Sequence, residues 1–529
     1  MMDDQVASPS ANAPDKSIYL VLLVTLLAFG MGLQASFHFD DYSLFSDPVV
    51  TSSSGWWQVW LPLRTRPLTY LTFWINYQLG GQNPAWYHAV NLALHLYAVW
   101  LLYGILCRLT GERAAILATA IFALHPIQSE PVLYVFERAT LLATVFCLLC
   151  WRSWLDRRYW SAVGLFALAV LGKEECVSFP FFLWMFQRAV LPAAAMLGLA
   201  LAAGVRVIVS HAALHVQAVS AATAAGAATA SAGGATVPYF AKVGGVILGY
   251  FRMTMLPYLC TQGCVILHYF RLLLVPYGFT VDPDFPAVLD WRGWLAWTLI
   301  LGTAALVWKR YRHGMWFAAG LLLLLPSSSI FPAADTAADR RLYLPMVAFA
   351  ALAGLLLKGM SRRMLVVPLA LGLAAISFTR TKVWLTEQAL WSEAVARSPR
   401  KLRPLFQLSR ASGPEAGLRI LDQAQALAPN DSRPAVEKGL RLLAMNRSDQ
   451  ALAQFDRALA LSPNDPEILN NHGVALTFLG QPESAAEDFR RALSANPCMA
   501  IARRNLERLG ITYPVACPPA GAGAAPESR

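Results

Sequence analysis

The chain is 529 residues long, 56% hydrophobic and only 14% charged. Charged residues make up about a quarter of an ordinary soluble domain, so an ordinary soluble multidomain protein is excluded. The net charge of +11 first suggests nucleic acid. The basic residues, however, sit between apolar blocks and form no stripe interleaved with exposed aromatics, which argues against that partner.

Residues 1–17 read as a cytoplasmic N-terminus. The stretch 18–37 carries no charge and is long enough to cross a hydrocarbon core of roughly 30 Å. It is too long for a signal-peptide core and no small-residue cleavage site follows, so it reads as a retained anchor. Basic clusters at Arg108 and Arg113, at Arg152, Arg157 and Arg158, at Arg188, at Lys309, Arg310 and Arg312, and at Lys358, Arg362 and Arg363 have the pattern of short cytoplasmic loops. They predict spans near 18–37, 88–107, 114–129, 139–155, 159–172, 175–188, 191–210, 291–308, 314–331, 342–358 and 364–380. Eleven crossings put the C-terminal part of the chain on the external side, with external loops over 38–87 and 211–290. Within the second loop, the Ala/Thr/Ser/Gly run 217–236 reads as mobile. Residues 240–278, with Lys242, Arg252, His268 and Arg271 embedded in apolar sequence, suit helices lying in the interface.

The apolar blocks stop near 380, giving a membrane domain over 18–380 and a polar, Ala-rich remainder. Trp384, Glu387, Leu390, Trp391 and Ala394 form a helical pattern over 381–397, read as a linker helix that caps a C-terminal repeat stack. Over 398–511 two blocks, 430–463 and 464–497, repeat with Gly439/Gly473, Ala451/Ala485, Phe455/Phe489, Ala458/Ala492 and Pro463/Pro497 in register. This is the tetratricopeptide pattern; a degraded unit precedes it, with Ala424 and Pro429 in register. Such arrays bind peptides and predict a protein partner. The tail 512–529 reads as disordered. Cys498 and Cys517 could pair in an oxidising compartment, whereas Cys147 and Cys150 lie inside an apolar span, where packing explains them.

This topology collects Asp40 and Asp41, Arg64 and Arg66, His125 and Glu130, Arg138, Lys173 with Glu174 and Glu175, Asp282 and Asp284, and Asp339 with Arg340 and Arg341 on one face. Taken singly, each is equally a helix end or a snorkelling cation. Carboxylates mixed with cations on one face of a membrane body point to a site.

Several stretches resemble the GT-C glycosyltransferases, specifically the transmembrane-and-tetratricopeptide protein O-mannosyltransferases and their bacterial relatives. They are Phe39-Asp40-Asp41; the segment from Arg66 through Tyr87 to His95; His125 to Glu130; Arg138; Gly172-Lys173-Glu174; Tyr269 to Asp284; Leu325 to Pro332; and Arg341-Leu342-Tyr343-Leu344-Pro345. Asp339 departs from the pattern, since relatives generally carry Glu there. The resemblance implies an all-α fold: a polytopic transmembrane helical bundle of about eleven spans, followed by an α-solenoid. It implies transfer of mannose or another hexose from a polyprenyl-phosphate carrier to Ser or Thr hydroxyls of an exported protein, at the periplasmic face of a bacterial inner membrane. It makes Asp40 the base, with Asp41 orienting it. Arg66, His125, Glu130, Arg138, Lys173, Glu174, Asp339, Arg340, Arg341 and Tyr343 then contact the lipid phosphate or sugar. No metal ligand set is expected; a divalent ion bridged by the two acids is the rival. Two alternatives stand beside this: a non-catalytic membrane-anchored tetratricopeptide scaffold, and a GT-C transferase with a lipid or glycan acceptor.

Overall fold

The computed structural model describes residues 16–61, 65–206, 255–286, 289–328, 335–360 and 366–514. The expectations for Arg64, for 217–236, for Cys517 and for most of the tail lie outside the described residues. Among those described, the chain is all-α, with no strand. It divides into two compact units, the break falling between Leu390 and Trp391.

The first unit is a bundle of apolar helices. Among the described residues two are long and apolar enough to cross a membrane: Ser17–Gln34 and Pro84–Thr110. The second starts on the Asn83 side chain, which accepts from the Ala85 N–H, has Pro84 in its first turn and stops at Gly111 with φ +81°. These are ordinary start and stop devices. A third span results if Glu112–Leu124 and Pro126–Leu133 are taken together across their 49° bend. Pro126 causes the bend, since it lacks an N–H and clashes with the preceding turn; the His125 Nδ1 accepts from the Ile127 N–H instead.

Further apolar helices are shorter, among them Tyr159–Gly172, Val190–Arg206, Gly314–Leu324 and Met346–Leu357. The span expected over 175–188 is instead a 3-10 segment, Glu174–Ser178, and a six-residue helix, Phe179–Trp184. At 1.5 Å per residue that helix is too short to cross. Leu256–Leu274 is helical, within the region expected to lie in the interface. Close packing needs small residues: Gly354 lies directly against the Ala114 carbonyl and the Ala118 methyl of a neighbouring helix, leaving no room for a Cβ.

The second unit consists of helix pairs. Leu402–Ala411 with Pro414–Leu427 is the degraded unit; Arg433–Ala444 with Ser448–Leu461, and Pro466–Phe478 with Pro482–Ala495, are the clear ones. Ala500–Arg508 closes the run. A Cβ on Gly439 would fall 2.5 Å from the Phe455 ring, and one on Gly473 would fall 2.8 Å from the Phe489 ring. The paired glycine and phenylalanine of the motif are therefore in contact within each unit, and both rings are fully buried.

Candidate active site

The first long helix ends at Gln34, and an extended His38 leads into a 3-10 turn over Phe39–Tyr42. Phe39 has φ +49°, a left-handed conformation that costs a residue with a Cβ about 1–2 kcal/mol. The rings of Tyr134 and Trp384, with centroids at 5.2 and 6.3 Å, pack against it. Strain of this kind concentrates at functional sites.

The two acids enter different environments. Asp40 is exposed, and its Oδ2 accepts from the Tyr134 hydroxyl at 2.9 Å. Asp41 is wholly buried; its Oδ2 accepts from the His38 N–H at 2.9 Å and its Oδ1 from the Phe136 N–H at 2.8 Å. Burial pushes the Asp41 carboxyl up to about 8, against backbone donors that favour its ionised form. Asp41 thus fastens the turn, and Asp40 is the carboxylate open to a ligand.

Residues 130–138 tie the site together. Tyr134 takes Asp40, and the Phe136 N–H takes Asp41. Glu137 meets Lys173 at 3.0 Å and Arg340 at 3.1 Å. Glu130 holds Arg340 through its guanidinium and, at 3.1 Å, its backbone N–H. Asp335 completes the Arg340 shell at 2.7 Å. Burial works to raise the Glu137 carboxyl, but Lys173 and Arg340 outweigh it and hold the group at about 2. Asp339, buried beside Glu130, is pushed up to about 8 by burial first and by Glu130 second, with Arg380 and Arg340 opposing.

Arg66 grips Glu174 with two bonds, at 3.0 and 2.6 Å. It too has a left-handed backbone, φ +55°, immediately before Pro67. Beside this pair lies a cleft of ≈ 260 Å³ walled by Val170, Leu171, Leu199 and Ala203, with Arg66, Glu174 and Arg206 at its charged edge.

Other expected site residues are enclosed by protein. Arg138 is fully buried: its guanidinium bonds Asn91 at 2.9 Å, Asn76 at 2.6 Å and the Tyr87 carbonyl at 3.0 Å, and lies 4.6 Å from the Phe73 ring centroid. With neutral acceptors on every side it anchors three segments to one another and presents no open face. The Tyr343 hydroxyl is buried against the His95 Nδ1 at 2.7 Å. His125 caps the turn after Pro126. The Arg341 guanidinium rests on the carbonyls of Asp335 and Thr336.

Tyr134, Glu137 and Asp335 are the site residues that sequence reasoning missed. The first two lie between the recognised stretches at 125–130 and Arg138, where a Tyr and a Glu are the signal that could have found them. Trp384, grouped in sequence with the linker helix, packs beneath the turn instead: its carbonyl bonds the His38 Nε2 at 2.7 Å and its ring stacks on Tyr134. Among the described residues, no three or more His, Cys, Asp or Glu converge as metal ligands.

The fold and site define a helical bundle that fits a membrane, carries an acidic turn set in a charge network, and is followed by a repeat solenoid. Residues 466–497 match the model of the tetratricopeptide repeat. The chain is similar to several protein O-mannosyl-transferases. Tmtc1 of Drosophila melanogaster is 37% identical over 134 residues, covering 24% of this chain and 15% of that protein. TMTC3 of Mus musculus is 31% identical over 188 residues, 31% and 20% of the two lengths. TMTC4 of Mus musculus is 31% identical over 215 residues, 32% and 29%. The matches therefore span only 15–29% of these relatives. A thermophilic TPR protein of Thermus thermophilus superposes with a TM-score of 0.22 at 19% identity, covering 40% of this chain and all of that one. The solenoid assignment rests on the repeats themselves.

Proposed function

We infer that this chain is a membrane glycosyltransferase that moves a hexose, by analogy with its relatives mannose, from a polyprenyl-phosphate carrier to Ser or Thr hydroxyls of an exported protein. The single observation that carries this reading is the split of the acid pair: an exposed carboxylate oriented by a tyrosine hydroxyl, beside a buried one fixed to the backbone. A base must lie within hydrogen-bond reach of the hydroxyl it deprotonates, in an orientation fixed before the substrate arrives. The Tyr134 hydroxyl, bonded to Asp40 Oδ2 at 2.9 Å, supports this role by orienting the carboxylate in advance.

The hydroxyl oxygen attacks the anomeric carbon as its proton passes to Asp40. The bond from that carbon to the phosphate oxygen breaks, and the electron pair leaves with the polyprenyl phosphate. Charge growing on that phosphate needs cations already in place. Arg66, ordered by Glu174, and Arg340, ordered by Glu130, are each about a fifth exposed and remain within a ligand's reach, whereas Lys173 is enclosed with Glu137. The apolar cleft edged by Arg66 and Arg206 suits a phosphate whose isoprenoid tail lies along the bundle. No step calls for a metal ion.

The repeats bind the acceptor protein or a partner, and the disulfide at Cys498 fits an oxidising, external compartment. The test is Asp40→Asn in membranes holding normal amounts of the protein. Acceptor glycosylation is expected to be lost, and unchanged glycosylation ends the assignment. Deleting 398–529 is expected to spare transfer to a short synthetic acceptor and to depress transfer to the native protein.

A further inference from the structure

We propose that a groove along the bundle, with its charged mouth at the end opposite Asp40, binds one anionic phospholipid. The groove measures ≈ 570 Å³ and runs between the helices Ser17–Phe29, Glu112–Leu124 and Val367–Val383. Chain direction sets its position. Two of these helices begin at its mouth, with Ser17 and Glu112, and run along it, the second as far as Leu124, one ending before the Asp40 turn and one before His125. Lys358 follows the end of Met346–Leu357, whose start adjoins Arg340–Tyr343.

The wall is apolar: Leu20, Val24, Ile116, Ala120, Ala370 and Leu371 line it, and Leu20 and Leu371 are more than half exposed. The first of these helices belongs to a segment long and apolar enough to cross a membrane. A groove on such a surface faces hydrocarbon, and acyl chains rather than water fill it. Its mouth is polar: among the described lining residues, Arg113 and Lys358 stand against the one carboxylate of Glu112. That excess of positive charge sits where the helices begin and end, at headgroup level. Basic pockets between spanning helices select acidic headgroups on this principle. A zwitterionic headgroup leaves the excess uncompensated, whereas a phosphatidylglycerol headgroup balances it. The site shares none of the residues of the acidic turn and does not depend on the proposed transfer reaction.

The experiment is native mass spectrometry of the full chain released from nanodiscs holding equal amounts of phosphatidylglycerol and phosphatidylcholine with identical acyl chains. One phosphatidylglycerol is expected to be retained, with a preference of about 5-fold, the factor expected of one net positive charge at a lipid surface. Arg113→Gln with Lys358→Gln is expected to abolish the preference; both residues are exposed, so the pair leaves the fold intact. Ala370→Trp, which fills the wall, is expected to remove the retained lipid whatever its headgroup. Equal retention of the two lipids overturns the proposal. So does a preference that survives the double substitution, a retained lipid unaffected by Ala370→Trp, or a dimer that carries no lipid because a partner helix fills the groove.

Discussion

Replacing Tyr134 by Phe removes one hydroxyl and leaves the ring where it is. The ring packs against Trp384, Phe39 and Phe136, with centroids 6.4, 5.2 and 6.3 Å away, and none of these contacts uses the oxygen. What is lost is the 2.9 Å bond to Asp40 Oδ2 and the longer one, 3.3 Å, that the hydroxyl accepts from the Asp40 N–H. A hydrogen bond to a charged group is worth about 1.5–3 kcal/mol. Asp40 is exposed and water replaces the partner, so the loss falls mainly on the carboxylate's orientation. If orientation is needed only as the proton moves, that energy appears as a 10- to 100-fold fall in kcat, roughly one decade per 1.4 kcal/mol. The acceptor KM should hardly change. Asp40→Asn, which removes the base itself, should cost about 10²–10⁴-fold. The assay is single-turnover transfer from a polyprenyl-phosphate mannose to a Ser/Thr peptide in proteoliposomes, with thermal unfolding of each variant in parallel. Wild-type kcat in Tyr134→Phe, or an Asp40→Asn enzyme as active as the Tyr134→Phe one, refutes the reasoning.

Three further outcomes test the surroundings. Glu137→Gln takes one carboxylate from each of two cations that keep others, Lys173 with Glu175 at 3.3 Å and Arg340 with Glu130 and Asp335, so the loss falls below the roughly 3–5 kcal/mol of a fully stranded buried charge. Its carboxyl is held at about 2 against 4.5, which is worth roughly 3 kcal/mol at neutral pH. That stability is present above pH 4.5 and fades as pH falls toward 2, so the Tm gap between the variant and wild type should close at acid pH. Asp41 has the opposite sign. Its raised folded pKa, about 8 against 3.8, gives a contribution that is complete below pH 3.8 and lost as pH rises to 8. Asp41→Asn should flatten the wild-type decline in Tm over that window, while one backbone N–H of His38 or Phe136 goes unpaired at about 1–3 kcal/mol. Gly473→Ala drives a methyl against the Phe489 ring; overpacking costs about 1–3 kcal/mol, read as faster hydrogen exchange across 466–495 in the full chain.

The parts of this protein that were legible in advance are those whose physics is local. Apolar blocks flanked by Lys and Arg mark helices that meet lipid, since burying backbone polar groups in hydrocarbon leaves the chain few other forms. The 34-residue period announces helix pairs because Gly473 and Phe489 touch within one unit, sixteen residues apart. The acid pair was legible too, as two charges at the end of an apolar stretch. The short build of 174–184 was not: its apolar residues look like those of a span, and only packing against neighbouring helices decides where the helix stops.

The sequence by itself therefore determined the classes: a helical membrane body, a repeat solenoid and a set of ionisable groups on one face. The tertiary structure alone decided the surroundings of each member of that set. Arg138 and Arg340 are both arginines between apolar stretches; one is sealed among Asn76, Asn91 and Tyr87, and the other is ringed by Glu130, Glu137 and Asp335. Asp40 and Asp41 are neighbours, yet one is open and the other is buried. Tyr134, which separates their functions, lies 94 residues from Asp40 along the chain. The ionisation and reach of a carboxylate depend on the few ångströms around it, and that neighbourhood is assembled from segments whose meeting no local pattern encodes.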